Sequence, residues 1–176
     1  MEIDALSFER LAPEQKFTSF DCGDEDLNDF LLTDAQNYQK SLLAVTYLVK
    51  NADDVIGYFS LLNDKLSFIE SSKKSWRKIK GLFPHSKHRR DYPAVKVGRL
   101  AVSSRYQGTD IGTRIMDFVK YSFIDRNRTG CVFITVDALR KSMPFYVKNK
   151  FKVMDEEQLL SDSKTIQMYY DLKQLI

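Results

Sequence analysis

Cysteine and histidine are scarce in this chain, with two of each among 176 residues. Cys22 and Cys131 cannot build the multi-bridge framework of a small secreted domain, and neither sits at metal-ligand spacing from its neighbours. His85 and His88 stand three apart but lack a third ligand nearby, so no metal centre is expected. No run approaches the roughly 18 consecutive apolar residues of a membrane span, and the first residues show no basic start followed by an apolar stretch. Internal repeats and low-complexity tracts are missing as well. These absences point to a soluble chain in a reducing, cytoplasmic compartment, with no membrane partner.

What is present suits one compact domain over residues 1–176. Hydrophobic residues make up 43% and aromatics 12%, enough for a core and too much for a disordered polymer. The net charge of +3 implies no nucleic-acid partner by itself. Its distribution says more: Lys73, Lys74, Arg77, Lys78, Lys80, Lys87, Arg89 and Arg90 fall within residues 73–90 with no carboxylate among them, so the rest of the chain is net acidic.

Hydrophobic spacing predicts one amphipathic helix from Asp24 to Ser41, with Asp21 or Asp24 capping its first turn. Two β-rich runs follow, Leu43 to Lys50 and Val55 to Leu62, joined by a polar turn as in a hairpin. Residues 64–93 show no clean period and read as a short helix plus an irregular loop. From Ala94 the order becomes strand (AVKVGRLAV), turn (Ser103 to Asp110), helix (Ile111 to Phe123, with Ile111, Ile115, Phe118 and Val119 inward), strand (Val132 to Val136) and helix (Ser142 to Asn149). A final strand pair, Phe151 to Met154 with Thr165 to Leu172, closes the chain. The fold class is therefore mixed α/β with a β-α-β crossover in the second half.

The turn VGRLAVSSRYQGTDIG leads from a strand into a helix and carries Gly108 and Gly112. Backbone amides at such a helix start, backed by the helix dipole, can receive an anionic group such as a pyrophosphate. An ordinary strand-to-helix turn with glycines for special dihedrals accounts for the same residues. With the later ITVDA strand and the run SMPFYVKNKF, this turn resembles the GNAT family of N-acetyltransferases. That family's loop follows Gln/Arg-x-x-Gly-x-Gly/Ala, and its later segment ends in Phe-Tyr-x-x-x-Gly-Phe.

The resemblance implies a mostly antiparallel mixed sheet with one splayed parallel pair, flanked by about four helices. It also implies acetyl-CoA as cosubstrate. Arg105 and Gly108 match the loop opening, and Gln107 and Gly112 its neighbours. Amides across Gln107, Gly108, Thr109, Asp110, Ile111, Gly112 and Thr113 would face the phosphates, while Leu100, Ala101 and Val102 belong to the strand that pairs with the pantetheine arm. The amide of Leu100 or Val102 would polarise the thioester carbonyl, and Tyr146 matches the tyrosine that protonates the departing thiolate. Two positions depart from the pattern. Asp110 replaces the closing Gly/Ala, and Lys150 the glycine of the Phe-Tyr segment. A carboxylate about 6 Å from a phosphate would repel it by roughly 3 kcal/mol before solvent screening, which a pairing with Arg114 or Arg105 would offset. A non-catalytic acyl-CoA-binding or protein-interaction domain with a degenerate loop is the alternative that Asp110 favours.

The run FDCGDEDLNDFL (Phe20 to Leu31) resembles the opening of the toxin-type GNAT branch, and GRLAV is typical of that branch. Its members acetylate the α-amino group of aminoacyl-tRNA and are held by a small DNA-binding antitoxin. The resemblance thus makes tRNA, contacted through residues 73–90 with Trp76 or Phe83 stacking on a base, a candidate partner. A solvated charged loop is the plainer reading of that segment. An antitoxin and a second copy of the chain are further candidates. No general base is visible, since no Glu lies in VGRLAV. An α-amino acceptor, with an ordinary pKa of roughly 7.7–8.0 against about 10.4 for lysine, would need less help. Cys22 is expected to pack as a small buried side chain.

Overall fold

The computed structural model describes residues 6–67, 73–84, 88–125 and 129–176. Seven strands form one sheet in the order β1-β2-β3-β4-β5-β7-β6. They are β1 (Leu6–Arg10), β2 (Val45–Asn51), β3 (Asp54–Ser67), β4 (Asp91–Val102), β5 (Phe133–Leu139), β6 (Lys152–Val153) and β7 (Thr165–Asp171). The helices are α1 (Glu25–Asp29), α2 (Ala35–Lys40), α3 (Lys73–Lys80), α4 (Ile111–Ser122) and α5 (Met143–Lys148). The described ladders are antiparallel apart from β4 with β5, which run parallel with α4 as the crossover. The mixed sheet read from the sequence is therefore correct in class.

Two compact units emerge, Met1–Leu62 with Val97–Val119, and Asn63–Lys96 with Lys120–Ile176. In the first, Asp24 caps α1 by accepting from the Leu27 amide. A π turn over Phe30–Asp34 then carries the chain into α2, so the single helix expected from Asp24 to Ser41 is three linked pieces. The wider turn keeps Phe30, Leu31 and Ala35 buried together with Leu11, Phe20, Cys22, Leu48, Tyr58 and Ala101. Cys22 is thus the small core side chain expected, and burial pushes its thiol pKa up. On α4, Ile111, Ile115 and Val119 are fully buried as the spacing requires, each contributing about 1.5–3 kcal/mol of burial. Phe118 stacks on Phe8 of β1 at 4.0 Å. That edge strand was not expected: its five residues carry little signal alone and are ordered by pairing with β2.

In the second unit, α3 places Trp76 and Ile79 against Leu66, Tyr92, Ala94, Phe133 and Tyr169. β3 runs to Ser67 rather than stopping near Leu62, and β4 begins at Asp91, so both strands take residues expected in the irregular segment. Arg140 staples the 158–163 turn, its guanidinium donating to the carbonyls of Gln158, Leu159, Ser161 and Ser163.

Candidate active site

The parallel ladder between β4 and β5 is short. It runs from Ala94 opposite Phe133 to Lys96 opposite Thr135, although β4 continues to Val102 and β5 to Leu139. In the first unit, the part of β4 carrying Leu100, Ala101 and Val102 leads into a 3-10 turn over Ser104–Tyr106 and then the loop before α4. The base of that loop is fixed from the N-terminal segment: the Ser104 amide donates to the Asp21 carbonyl at 2.9 Å. The Gln107 carboxamide donates to the Cys22 carbonyl at 2.7 Å and the Val102 carbonyl at 2.9 Å. The Asp21 carboxylate accepts from the Gly23 amide and from Asn28, and these bonds lower its pKa. The FDCG run therefore acts as a bracket for the glycine loop, a role the sequence pattern alone did not reveal.

Above that bracket the amides are free. Among the described residues, those of Gln107, Gly108, Thr109, Asp110, Gly112 and Thr113 find no hydrogen-bond acceptor, while that of Ile111 reaches only Thr109 Oγ1 at 3.4 Å. Thr109 Oγ1 donates to the Tyr106 carbonyl at 2.6 Å, closing the turn. Gly108 takes φ +77° with nothing within 4 Å of where a side chain would start. Free amides at a helix start, next to a glycine that leaves their approach open, are what an anion needs. Asp110 has an ordinary negative φ, so no glycine-like backbone is demanded there. Its carboxylate makes no ion pair among the described residues, so the expected pairing with Arg114 or Arg105 is not formed, and it caps none of the free amides.

In the second unit, Tyr146 lies on α5 with its ring buried edge-on against Phe145 and Phe151, at 5.1 and 5.4 Å. Burial raises the phenol pKa well above its ordinary 10, so the hydroxyl keeps its proton at physiological pH. That hydroxyl makes no hydrogen bond among the described residues, and its oxygen is not among the fully buried atoms left unpaired, so it stays available. Lys150, where the resembled pattern has glycine, adopts φ +69°. The backbone keeps the glycine conformation without the glycine.

The basic segment is partly used internally. Lys74 and Lys78 both grip Glu156, at 3.1 and 3.0 Å, and hold its carboxyl pKa down. Trp76 is only 5% exposed, and Phe83 stacks on Tyr92 at 4.3 Å beneath the Lys173 ammonium, so neither ring is free to stack on a base as expected. Lys73, Arg77 and Lys80 carry no ion pair among the described residues. His88 approaches the Phe83 carbonyl at 3.1 Å, whereas His85 and Lys87 lie outside the described residues. No group of three potential metal ligands occurs among the described residues, and no described helix is long and apolar enough to cross a membrane.

The first unit thus holds a strand leading into a loop of unpaired amides, and the second a short parallel ladder and a protonated, buried tyrosine. The chain belongs to the acetyltransferase (GNAT) domain family, which it matches over residues 49–172. Solved structures, toxins among them, resemble it along nearly its full length. A tyrosine-to-phenylalanine variant of KacT shares 24% identity at a TM-score of 0.76, covering 97% of this chain and 99% of that one. AtaT complexed with acetyl-methionyl-tRNAfMet shares 23% at 0.72, covering 97% of each. A tyrosine-to-phenylalanine AtaT variant bound to acetyl-CoA and the C-terminus of the antitoxin AtaR shares 22% at 0.68, covering 98% and 96%. At these identities the likeness is one of fold.

Proposed function

We propose that this protein, working as a single domain, transfers the acetyl group of acetyl-CoA to the α-amino group of aminoacyl-tRNA. The observation carrying this reading is the row of unpaired amides from Gln107 to Thr113 at the start of α4, bracketed in place by Asp21 and Cys22. Those amides would hold the pyrophosphate, and the backbone of Leu100, Ala101 and Val102 the pantetheine arm, with the Leu100 amide donating to the thioester carbonyl. Tyr146, protonated and unpartnered, would return a proton to the leaving sulfur. Lys73, Arg77 and Lys80 offer cations for a phosphate backbone. AtaT, the neighbour complexed with acetyl-methionyl-tRNAfMet, supports the acceptor class. The AtaT–AtaR and KacTA–DNA structures support a small DNA-binding antitoxin as partner. Such a substrate places the protein in the cytoplasm, and a homodimer is the simplest assembly to offer it.

Labelled acetyl-CoA, incubated with the full chain and either aminoacylated or deacylated total tRNA, tests the reading. Label should enter only the aminoacylated pool and be lost with the ester bond. Label in small amines but not in tRNA would retain the acetyltransferase and remove tRNA as acceptor. Acetyl-CoA binding without transfer to any amine would favour the non-catalytic alternative.

A further inference from the structure

The helix α3 carries five cations and no carboxylate in its eight residues, Lys73–Lys80. Lys73 and Lys74 stand in the first turn, where the helix dipole disfavours positive charge, and the pairs Lys73–Arg77 and Lys74–Lys78 repel across one turn. A helix chosen for stability alone would avoid both. Its period sorts the side chains into three rows. Ser75, Trp76 and Ile79 are buried, the last two in the core. Lys74 and Lys78 form a second row, and both reach the Glu156 carboxylate, at 3.1 and 3.0 Å. Lys73, Arg77 and Lys80 form the third, with no ion pair among the described residues.

Glu156 is presented to the helix from a firm support. The 3-10 turn Glu156–Leu160 starts at Asp155, whose side chain accepts from the Glu157 amide at 3.1 Å. The Met154 amide donates to the Gln167 carbonyl at 2.8 Å and the Gln167 amide to Gln158 Oε1 at 2.9 Å, which ties the turn to β7. Arg140 closes its far side on four carbonyls. A carboxylate so placed loses little freedom on meeting two lysines, unlike the flexible partners of an ordinary surface pair. It offsets the repulsion within the Lys74–Lys78 row and leaves the other row uncompensated.

That third row suits a polyanion. Trp76 and Ile79 are buried, so α3 lacks the exposed apolar face that a membrane-surface helix inserts. Arg77, at the centre of the row, has the planar donor set that matches phosphate. The helix, the Glu156 turn and β7 all belong to the second unit, so the arrangement is complete within it.

We infer that the Lys73–Arg77–Lys80 row grips the phosphodiester backbone of RNA, and that Glu156 is a built-in counter-ion that keeps Lys74 and Lys78 out of that contact. RNA as the occupant rests on the aminoacyl-tRNA reading, whereas the counter-ion role needs no acetyl transfer. A grip held to three of the five cations suits a substrate that must leave after each turnover.

Fluorescence anisotropy of labelled, deacylated total tRNA with the full chain, over a series of salt concentrations, tests both parts. Glutamine at Lys73, Arg77 or Lys80 should weaken binding about threefold to tenfold at about 0.1 M salt, while Lys74→Gln should change it by less than about twofold. Glu156→Gln should tighten binding about tenfold and steepen the dependence of log K on log salt by about one to two. In that background Lys74→Gln should cost as much as a row substitution. Glu157→Gln, which removes a neighbouring carboxylate with no ion pair among the described residues, should do neither. Equal effects of Glu156→Gln and Glu157→Gln would reduce Glu156 to distant charge and overturn the counter-ion role, as would a full loss from Lys74→Gln in the native chain. Row variants that bind like the native chain, no tRNA binding by any form, or displacement of tRNA by poly-L-glutamate at matched charge would overturn RNA as the occupant. The two readings fail separately. Binding in the expected pattern without acetyl transfer keeps this inference and removes the acetyltransferase reading, and acetylated tRNA with unaffected row variants does the reverse.

Discussion

Replacing Lys150 with glycine should stabilise the protein, and the amount can be worked out from the end of α5. After Lys148 the chain turns through Asn149, and Lys150 takes φ +69°. The Phe151 amide donates back to the Tyr146 carbonyl at 2.9 Å and the Lys150 amide to the Val147 carbonyl at 2.9 Å. This pair of bonds is a Schellman cap, which normally carries glycine at the left-handed position. A side chain there costs roughly 1–2 kcal/mol, and glycine gives back about 0.5–1 kcal/mol as extra unfolded-state entropy. The net gain is about 0.5–1 kcal/mol. For a chain of this length that raises Tm by about 1–4 °C. Thermal unfolding by circular dichroism measures it directly. Lys150→Ala is the control, since it removes the charge but keeps the strained dihedral and should not gain. An equal rise in both variants, or no rise with glycine, would refute the backbone argument. Because the cap also carries Phe151 onto the Tyr146 ring, activity should survive the glycine variant intact.

Three further outcomes follow from the same geometry. Tyr146→Phe keeps the edge-on packing and removes the unpartnered hydroxyl, so turnover should fall by about 10²–10⁴ with an unchanged melting curve, and full activity in a steady-state assay would eliminate the donor role. Asp110→Gly removes an unpaired carboxylate from beside free amides without altering a special dihedral, so calorimetry should show tighter acetyl-CoA binding, by about threefold to tenfold at low salt and less as salt rises. Burial pushes the Cys131 thiol up from 9.0 to about 11, and raises the phenols of Tyr58 and Tyr146 above 10. A raised folded-state pKa lends stability that is complete below the unfolded value and is lost as pH climbs through the folded one. Tm should therefore hold up to about pH 9 and decline from there through pH 11, and a flat profile across that window would contradict the burial of these groups.

Elements whose signal was local were legible in the sequence, and those defined by distant partners were not. The α4 face, the β2–β3 hairpin and the order of the last four strands follow from periodicity and turn residues within each segment. β1 did not, because five residues of weak alternation become a strand only by pairing with β2. The far end of β3 was hidden by Asn63, Asp64 and Lys65, which look like a polar loop. Asp64 is a strand residue whose carboxylate is met by Thr135, and Lys65 reaches Asp91 at 3.3 Å. The basic segment misled in the same way: its lysines 74 and 78 read as free charge until Glu156, some 80 positions later, closes on them.

The two departures from the family pattern resolve differently, and the difference shows what such a pattern encodes. At Lys150 the glycine stood for a dihedral, and the cap's two hydrogen bonds enforce that dihedral on a lysine at a modest energetic cost. At Asp110 the small residue stood for neither a dihedral nor a hydrogen bond, because φ is ordinary and the neighbouring amides stay free. What remains at Asp110 is charge alone, a property that tunes affinity without changing the shape of the loop. A loop whose shape survives and whose amides are unspent retains the physical means to hold a diphosphate, so the carboxylate argues for a weaker grip on acetyl-CoA and against a lost one.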